Sequence, residues 1–258
     1  MRGHFLRTAY DPDAWAYILA VQDADAQSLE TGVQRAIDTF VKGCKADGIW
    51  TAIKASCILA GARTLAGALV PLVGTAPTNF NFVSGDYNRK TGLVGNASNK
   101  YLDSHRANNA DPQNNNHNAV WLSAYTSGDQ YLMGSGSNAG ENFLLARTAA
   151  AFFRNRYSAS GSESFSATGS ELSGGLFGMS RASSSAVNVT YKQATGQIFT
   201  SNTAPSVAPT TSTLTVFRQN AAYSDARLAF YSIGESLDLA LLDARVTALI
   251  NAYAAAIP

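Results

Sequence analysis

The first sixty residues carry apolar side chains at helical spacing. Asp11 followed by Pro12 is an N-cap with proline at the first helical position, and it predicts a helix that runs to about Ala24. Ser28 predicts the cap of a second helix, which Gly48 ends. Its apolar face is formed by Val33, Ile37, Phe40, Val41 and Cys44. Ile49, Trp50 and Ile53 predict a further turn or two of helix.

From Thr64 onwards the pattern changes from helical spacing to short alternating segments. Residues Leu65 to Val73 are glycine-rich and are predicted to be extended. The segments that follow are Ala119–Tyr125, Tyr131–Gly134, Asn142–Arg147, Ala151–Arg156, Glu163–Ala167, Gly175–Ser180, Val187–Tyr191, Gln197–Thr200, Leu214–Arg218 and Ala226–Ile233. Strands of this length at regular spacing indicate an antiparallel β-sandwich or jelly roll. Nothing between them is long enough for the crossover helices of a parallel sheet.

The chain closes with a second amphipathic pattern. Ser236 predicts an N-cap, and Asp238 in the first turn favours the helix dipole. Apolar residues then step by three or four positions, at Leu239, Leu242, Val246, Leu249, Tyr253 and Ile257. We therefore expect a mainly β fold with a helical N-terminal arm (residues 1–62), a sandwich (63–235) and a C-terminal helix (236–258).

The apolar faces of these helices need partners, and the sequence leaves two alternatives open. The helices either pack on their own sandwich and on each other, or they form contacts between subunits. The C-terminal helix either lies beside the sandwich or joins copies of the chain around a symmetry axis.

The amino-acid composition argues against a nucleic-acid-binding function. Hydrophobic residues make up 46% of the 258 residues, charged residues only 14%, and the net charge is +1. Binding to nucleic acid through phosphates needs a clustered basic surface, which this charge pattern does not offer. Cys44 and Cys57 are expected to be buried free thiols, which implies folding in a reducing cytosol.

The N-terminal segment and the longest apolar stretch of the chain bear on its expected localisation. Residues 1–10 contain Arg2, His4 and Arg7 but no apolar core of a signal peptide. The stretch from Cys57 to Val73 is interrupted by Arg63 and Pro71, so no membrane span is expected there. A surface-like composition without an export signal is typical of bacteriophage proteins, which leave the host by lysis.

Several motifs together suggest a family. They are Leu69-Val-Pro-Leu-Val-Gly74, the G-x-x-G-x-x-S-x-x-Tyr-Leu segment from Gly92 to Leu102, Gly178-Met-Ser-Arg181, and Ala-Phe-x-x-Ile-Gly from Ala229 to Gly234. Their order resembles the concanavalin A-like lectin/glucanase sandwich of phage virion and tail proteins, a laminin-G-like superfamily. The resemblance covers about residues 65–258. It implies a jelly-roll fold, but not one activity, since such a fold carries lectins, hydrolases and structural proteins.

The glucan-cleaving members of that superfamily carry an E-x-D-x-x-E strand, and retaining glycosidases need two carboxylates about 5–5.5 Å apart. The nearest match is Glu235-Ser236-Leu237-Asp238, which lacks the third acid and lies at a helix start. Asp238 is interpreted as a helix-capping residue. Glu163 and Glu171 stand without a second acid in register. We therefore predict no enzyme activity, no catalytic residues and no cofactor.

The densest polar cluster lies between residues 107 and 118. Its candidate ligand-binding residues are Asn108, Asn109, Asp111, Asn114 and His117. Lectins of the legume type resemble this cluster in using Asp and Asn for calcium and sugar, but the spacing of a calcium loop is missing, so no metal site is predicted. The alternative is a solvated loop whose Asn residues tolerate tight turns. Among the aromatic residues, Trp121, Tyr125, Tyr131, Phe152, Phe153 and Tyr157 could stack on sugar rings, although alternation buries most of them.

The function expected from the sequence is that of a non-enzymatic bacteriophage virion protein in a tail fibre, a baseplate or a head decoration. The alternatives are a carbohydrate-active enzyme and a free lectin on the same fold. The expected partners are other virion proteins, host-surface polysaccharide and further copies of the chain, with a trimer as the working hypothesis. The low charge favours such association.

Overall fold

The structure is a computed structural model that describes residues 10–125, 128–136, 139–147, 150–156, 165–168 and 172–258. Its helices are α1 Pro12–Asp25, α2 Thr31–Ala46, α3 Leu65–Ala68 and α4 Leu239–Ala256, with short 3-10 turns at Trp50–Ala52 and Ser84–Asp86. As the sequence predicts, Asp11 caps α1, because its side chain accepts hydrogen bonds from the backbone N–H of Asp13 and Ala14.

Three local predictions at helix ends are wrong. Ser28 does not cap α2, which begins at Thr31 with Glu30 at the N-cap position and no side-chain cap. Ser236 does not cap α4, because the carboxylate of Asp238 accepts from Ala240 N at 2.8 Å and Leu241 N at 3.3 Å. The extended segment expected from Leu65 begins instead with the short helix α3, which Thr64 caps.

The helical continuation predicted through Ile53 is also wrong. After one 3-10 turn at Trp50–Ala52, Ile53–Ile58 forms a strand that pairs with residues 230–234. Both sides of this strand are covered by apolar residues, so its sequence lacks the alternation that marks a half-exposed strand.

Within the described residues, the strands are β1 Ile53–Ile58, β2 Thr78–Phe80, β3 Tyr87–Asn88, β4 Gly92–Val94, β5 Tyr101–Ala107, β6 Asn116–Ala124, β7 Gln130–Ser135, β8 Asn142–Arg147, β9 Ala150–Asn155, β10 Phe165–Thr168, β11 Gly175–Arg181, β12 Ala186–Gln193, β13 Gly196–Thr203, β14 Thr213–Val216, β15 Arg218–Gln219, β16 Ala222–Tyr223 and β17 Arg227–Gly234. Each of the segments predicted after residue 119 overlaps a strand. Glu163, at the start of one prediction, lies outside the described residues.

The strands form two antiparallel sheets that face each other. Sheet A has the order β13-β12-β11-β6-β17-β4-β3, with β1 also paired to β17. Sheet B has the order β10-β9-β8-β7-β14-β5-β2. The hairpin β15–β16 stands apart and packs against β7 of sheet B. The expected antiparallel β-sandwich is confirmed.

Two apolar cores hold these layers together. The first lies between the sheets and includes Leu102, Leu132, Phe153 and Phe177. The second lies between the outer face of sheet A and a layer made of α1, α2 and α4. Phe40 of α2 meets Phe230 of β17 edge-on, with ring centroids 5.9 Å apart. The helical faces thus pack on their own sandwich, which is the first of the two alternatives.

Helix α4 has the length and apolar composition that could cross a membrane. Here Leu242, Val246, Leu249 and Tyr253 are buried inside the molecule, in the core that α4 shares with α2 and sheet A. The absence of a membrane span and the domain limits 1–62, 63–235 and 236–258 stay predictions. The predicted boundary between residues 62 and 63 separates β1 from β17, although these two strands pair in the same sheet.

Candidate functional site

The predicted ligand-binding cluster lies at one end of the sandwich, and most of its side chains are turned inward. Asn108 is buried, and its amide donates to Gly140 O at 2.8 Å and to Thr210 Oγ1 at 3.1 Å. Asp111 is buried in an ion pair with Arg106. Asn114 is half-buried and accepts from Ser206 Oγ.

His117 does not reach the surface, and neither do Asn116 and Asn118 beside it. It lies on β6, fully buried, with Nδ1 2.5 Å from Glu235 O and Nε2 2.7 Å from Ser232 Oγ. Burial lowers the pKa of His117 from 6.5 to about 4, because a charged imidazole would lose its hydration. Asn109 is the exposed member of the predicted set.

Two buried arginines connect the loops at this end of the sandwich through hydrogen bonds. Arg156 donates to the carbonyl oxygens of Asn108 and Pro112. Arg181 donates to Asn155 Oδ1 at 2.9 Å and to the carbonyl oxygens of Asn155 and Ala204, both at 2.8 Å. Burial lowers the pKa of each guanidinium to about 10. The geometry is that of an internal hydrogen-bond network, and the ligand-binding role of its Asn and Asp residues stays a prediction.

The acidic residues that the sequence singled out have other structural roles where the structure describes them. Asp238 caps α4, as predicted, and Glu235 pairs with Lys54 at 3.4 Å. Glu163 and Glu171 lie outside the described residues. In the described part of the chain, no group of three His, Cys, Asp or Glu side chains could hold a metal ion.

The predicted sugar-stacking aromatics are mostly structural. Phe153 lies between the sheets and Trp121 under the helix layer. Tyr131 and Phe152 are half-buried on sheet B, where Tyr131 packs edge-on against Phe143 and Arg147 lies over Phe152. Tyr125 is also half-buried and packs against the core between the sheets, whereas Tyr157 is outside the described residues.

A different aromatic group lies on the outer face of sheet B, the face directed away from sheet A. Alternation along β5 sends Leu102 into the core and leaves Tyr101 and Asp103 on the outer side. Phe80 on β2 is the register partner of Tyr101. Tyr223 and Arg218 come from the hairpin β15–β16. We call these five residues (Phe80, Tyr101, Asp103, Arg218 and Tyr223) the aromatic platform, and all except Phe80 are carried by β5 or the hairpin.

The hairpin reaches this position because a glycine leaves room beneath it. A Cβ at Gly134 would lie 2.6 Å from the side chain of Gln219, so the close packing of β15 on β7 requires glycine there. Gln219 in turn donates to Gly136 O at 3.0 Å, and Thr215 Oγ1 donates to Arg218 O at 2.9 Å. These contacts fix Arg218 and Tyr223 over sheet B.

The platform is an ordered stack. The rings of Phe80 and Tyr101 are 4.2 Å apart and nearly parallel, at 4°. The guanidinium carbon of Arg218 lies 3.7 Å from the centre of the Tyr101 ring. One face of a ring has room for only one stacked side chain, so Phe80 and Arg218 lie on opposite faces of Tyr101. The ring of Tyr223 flanks the stack, with its centroid 6.1 Å from that of Tyr101.

Asp103 adds a hydrogen-bond acceptor beside the stack. It is half-buried and accepts from His105 N at 2.9 Å and from Thr213 Oγ1 at 3.4 Å. The phenol hydroxyls of Tyr101 and Tyr223 make no hydrogen bond to any described residue, and the aromatic members of the platform are half-exposed. The surface thus combines apolar ring edges, donors and an acceptor, the mixture found in sites for small polar ligands.

Sequence reasoning missed the platform. Tyr101 appears in the sequence as part of the motif from Gly92 to Leu102, and Arg218 as the end of a predicted strand. The available signal was the alternation of Tyr101, Leu102 and Asp103, which places an aromatic and an acidic residue on one face. The hairpin that brings the other two residues to that face is a tertiary contact.

Comparison with known proteins supports the fold alone. The sequence matches no protein-family model and no curated protein. The botulinum neurotoxin serotype D binding domain superposes with a TM-score of 0.52 at 9% identity, over 76% of this chain and 51% of that domain. This chain therefore spans about half the length of the toxin domain. The likeness is to a β-sandwich, and the concanavalin A-like assignment within that class stays a prediction.

Two further solved structures share parts of the architecture at lower scores. The enzymatically active domain of bacteriophage CBA120 tailspike protein 2 has a TM-score of 0.42 at 16% identity, over 70% of this chain and 29% of that one. The Trypanosoma rangeli sialidase in complex with 2,3-difluorosialic acid has a TM-score of 0.48 at 10% identity, over 92% and 38%. Scores this low establish neither a relationship nor an activity.

Proposed function

We propose that this chain is a non-enzymatic bacteriophage virion protein, in a tail fibre, baseplate or head decoration, that binds host-surface polysaccharide through the outer face of sheet B. The observation that carries the glycan-binding part is the aromatic platform. Half-exposed rings can pack against the apolar faces of sugar rings, while Asp103 and the phenol hydroxyls can bond to sugar hydroxyls.

The layer order of the molecule supports this choice of face. Helices α1, α2 and α4 cover the outer side of sheet A. No described helix packs on the outer side of sheet B, where the platform lies. A virion protein anchored through its helical side would therefore present the platform outward.

Composition supports the virion part of the proposal. A charged fraction of 14% with many Ser, Thr, Asn and Gly residues suits a surface that works through neutral hydrogen bonds. The toxin domain of similar fold is named as a binding domain, which is in keeping with a binding role for this type of sandwich.

The non-enzymatic part of the proposal is supported by the number of acids on the platform. A glycosidase needs two carboxylates across the scissile bond. The platform contains one, Asp103, and its oxygens already accept two hydrogen bonds. A bound glycan is therefore expected to leave this surface uncleaved.

The test is a glycan array probed with the purified chain, together with immunogold labelling of phage particles whose genome encodes it. We expect particle labelling and glycan binding, and we expect Tyr223→Ala to lose glycan binding. Phe199→Ala is the matched control, because Phe199 is an exposed aromatic residue on sheet A. Release of reducing ends from a bound glycan would contradict the non-enzymatic assignment. Labelling without glycan binding would leave a purely structural role, and binding without labelling would indicate a free lectin.

A further inference from the structure

Arg218 differs from the other half-buried arginines of the described chain, which donate to a carboxylate or, in the case of Arg227, to Gly92 O at 2.7 Å. Arg89 holds Glu30 with two hydrogen bonds of 3.0 and 2.7 Å, and Arg245 holds Asp47 with two of 2.6 and 2.8 Å. The guanidinium of Arg218 makes no hydrogen bond or ion pair to any described residue, and its buried Nε is without a partner there. The rings of Tyr101 and Tyr223 lie against the guanidinium, with their centres 3.7 and 5.9 Å from its carbon.

The stacking geometry determines where the donors of Arg218 point. A guanidinium carbon can approach a ring centre to 3.7 Å when the group lies nearly flat on the ring. All five N–H donors of arginine lie in the plane of the guanidinium. The N–H groups therefore point sideways, parallel to the Tyr101 ring, and none of them donates a hydrogen bond to the ring.

A guanidinium that is half-buried and lacks a hydrogen-bond acceptor favours an anionic ligand. Withdrawing a cation from water without a hydrogen-bond partner costs free energy, which an anionic acceptor recovers. The planar fork of arginine fits the two oxygens of a carboxylate, and stacking on an aromatic ring fixes the fork in advance. The adjacent ring of Tyr223 offers an apolar surface of about the size of a sugar ring.

We propose that Arg218 binds the carboxylate of an acidic sugar, a hexuronic or a sialic acid, while the ring of that sugar packs against Tyr223. Asp103, on the same face, accepts a hydrogen bond from a sugar hydroxyl. The inference rests on the proposed glycan binding and adds the ligand class to it. Both kinds of sugar present the same carboxylate, so the site recognises that group and the ring beside it.

The experiment uses the full-length chain and three sets of immobilised glycans: oligouronates, sialylated oligosaccharides, and the same glycans with their carboxylates reduced to alcohols. The variants are Arg218→Gln and Arg218→Lys, with Arg35→Gln on the exposed face of α2 as the matched control. Thermal unfolding of each variant accompanies the binding measurement. The oligouronate and sialylated sets decide which acidic sugar is bound.

We expect the unmodified chain to bind at least one acidic set, and carboxyl reduction to weaken that binding about tenfold or more, as loss of a charged hydrogen bond does. Arg218→Gln should weaken it to the same degree and become insensitive to carboxyl reduction. Arg218→Lys should recover only part of the affinity, because it restores the charge but not the fork. Arg35→Gln should bind like the unmodified chain.

Three outcomes overturn the inference, and they differ in what they leave standing. Equal binding of acidic and reduced glycans removes the role of the carboxylate and leaves glycan binding intact. A lower unfolding temperature in Arg218→Gln, with equal loss of binding to reduced glycans, means that Arg218 only fastens the hairpin to sheet B. No binding to any glycan removes the proposed function together with the inference.

Discussion

Several polar side chains of this protein have roles set by burial. His117 lies in the interior at the end of the sandwich, and both ring nitrogens are engaged, by a backbone carbonyl of Glu235 and by the hydroxyl of Ser232. The Ser232 hydroxyl can donate to Nε2 or accept from it, so the cost of a second proton is that of a charge in the buried interior. The neutral form is therefore the folded form.

This environment predicts a loss of stability in mild acid. The pKa of His117 is lowered from 6.5 to about 4 in the folded chain, so the unfolded chain binds the proton first as pH falls. The contribution of neutral His117 to the free energy of unfolding is complete above pH 6.5 and is lost progressively as the pH falls to about 4. The expected loss is roughly 3 kcal/mol, since each pKa unit corresponds to about 1.4 kcal/mol.

Urea unfolding between pH 7 and pH 4 measures this loss. His117→Asn should be less stable at neutral pH and should show a flatter pH dependence. His105→Asn, at an exposed position on β5, is the matched control and should keep the slope of the unmodified chain. An unchanged slope in His117→Asn would show that other groups cause the acid sensitivity.

Among the elements, α4 links the end of the chain to the rest of the molecule. It packs against α2 and against β11 of sheet A. Leu249 and Val246 are buried in the core that these layers share. The helix therefore completes a core made of distant parts of the chain, and its folding depends on theirs.

We expect Leu249→Ala to lower the free energy of unfolding by about 2–5 kcal/mol, the cost of a cavity in a packed core. Asn251→Ala, two residues further along the same helix and exposed, should change it by less than about 0.5 kcal/mol. Denaturant unfolding of both variants measures the difference. Equal effects at the two positions would mean that α4 is held only loosely on sheet A.

At the scale of the whole molecule, the two outer faces differ. Sheet A is covered by helices, while sheet B carries the aromatic platform. The helix layer has an apolar surface of its own, because Trp15 and Leu19 lie one turn apart on α1 with 40% and 47% of their surface exposed. Exposed apolar residues grouped in this way are typical of interfaces.

We therefore expect the full-length chain to associate through α1, in keeping with the homo-oligomer predicted from its low charge. Sedimentation at micromolar concentration should show an oligomer, with a trimer as the working hypothesis. Trp15→Ser combined with Leu19→Ser should give folded monomers. Val83→Ser, at a position that is 60% exposed on the sandwich, should not change the oligomer. A monomeric unmodified chain would contradict the prediction.

The sequence by itself determined the class of fold. Alternation after residue 119 located strands such as Ala186–Gln193, where Val187, Val189 and Tyr191 face the core and Asn188 is exposed, because one half-buried face leaves a period of two in the sequence. Helical spacing located α1, α2 and α4 for the same reason. It did not locate β1, which is covered on both sides and so has no polar face to reveal it.

The tertiary structure alone decided which polar residues face solvent. Asn109 is exposed, whereas the adjacent Asn108 is buried, although the two are identical in the sequence. The platform depends on a hairpin that lies over sheet B because Gly134 admits Gln219, a contact between residues far apart in the chain. Local periodicity reports which side of an element is apolar. Which distant side chains meet is determined by strand register and the packing of layers, and these are properties of the whole fold.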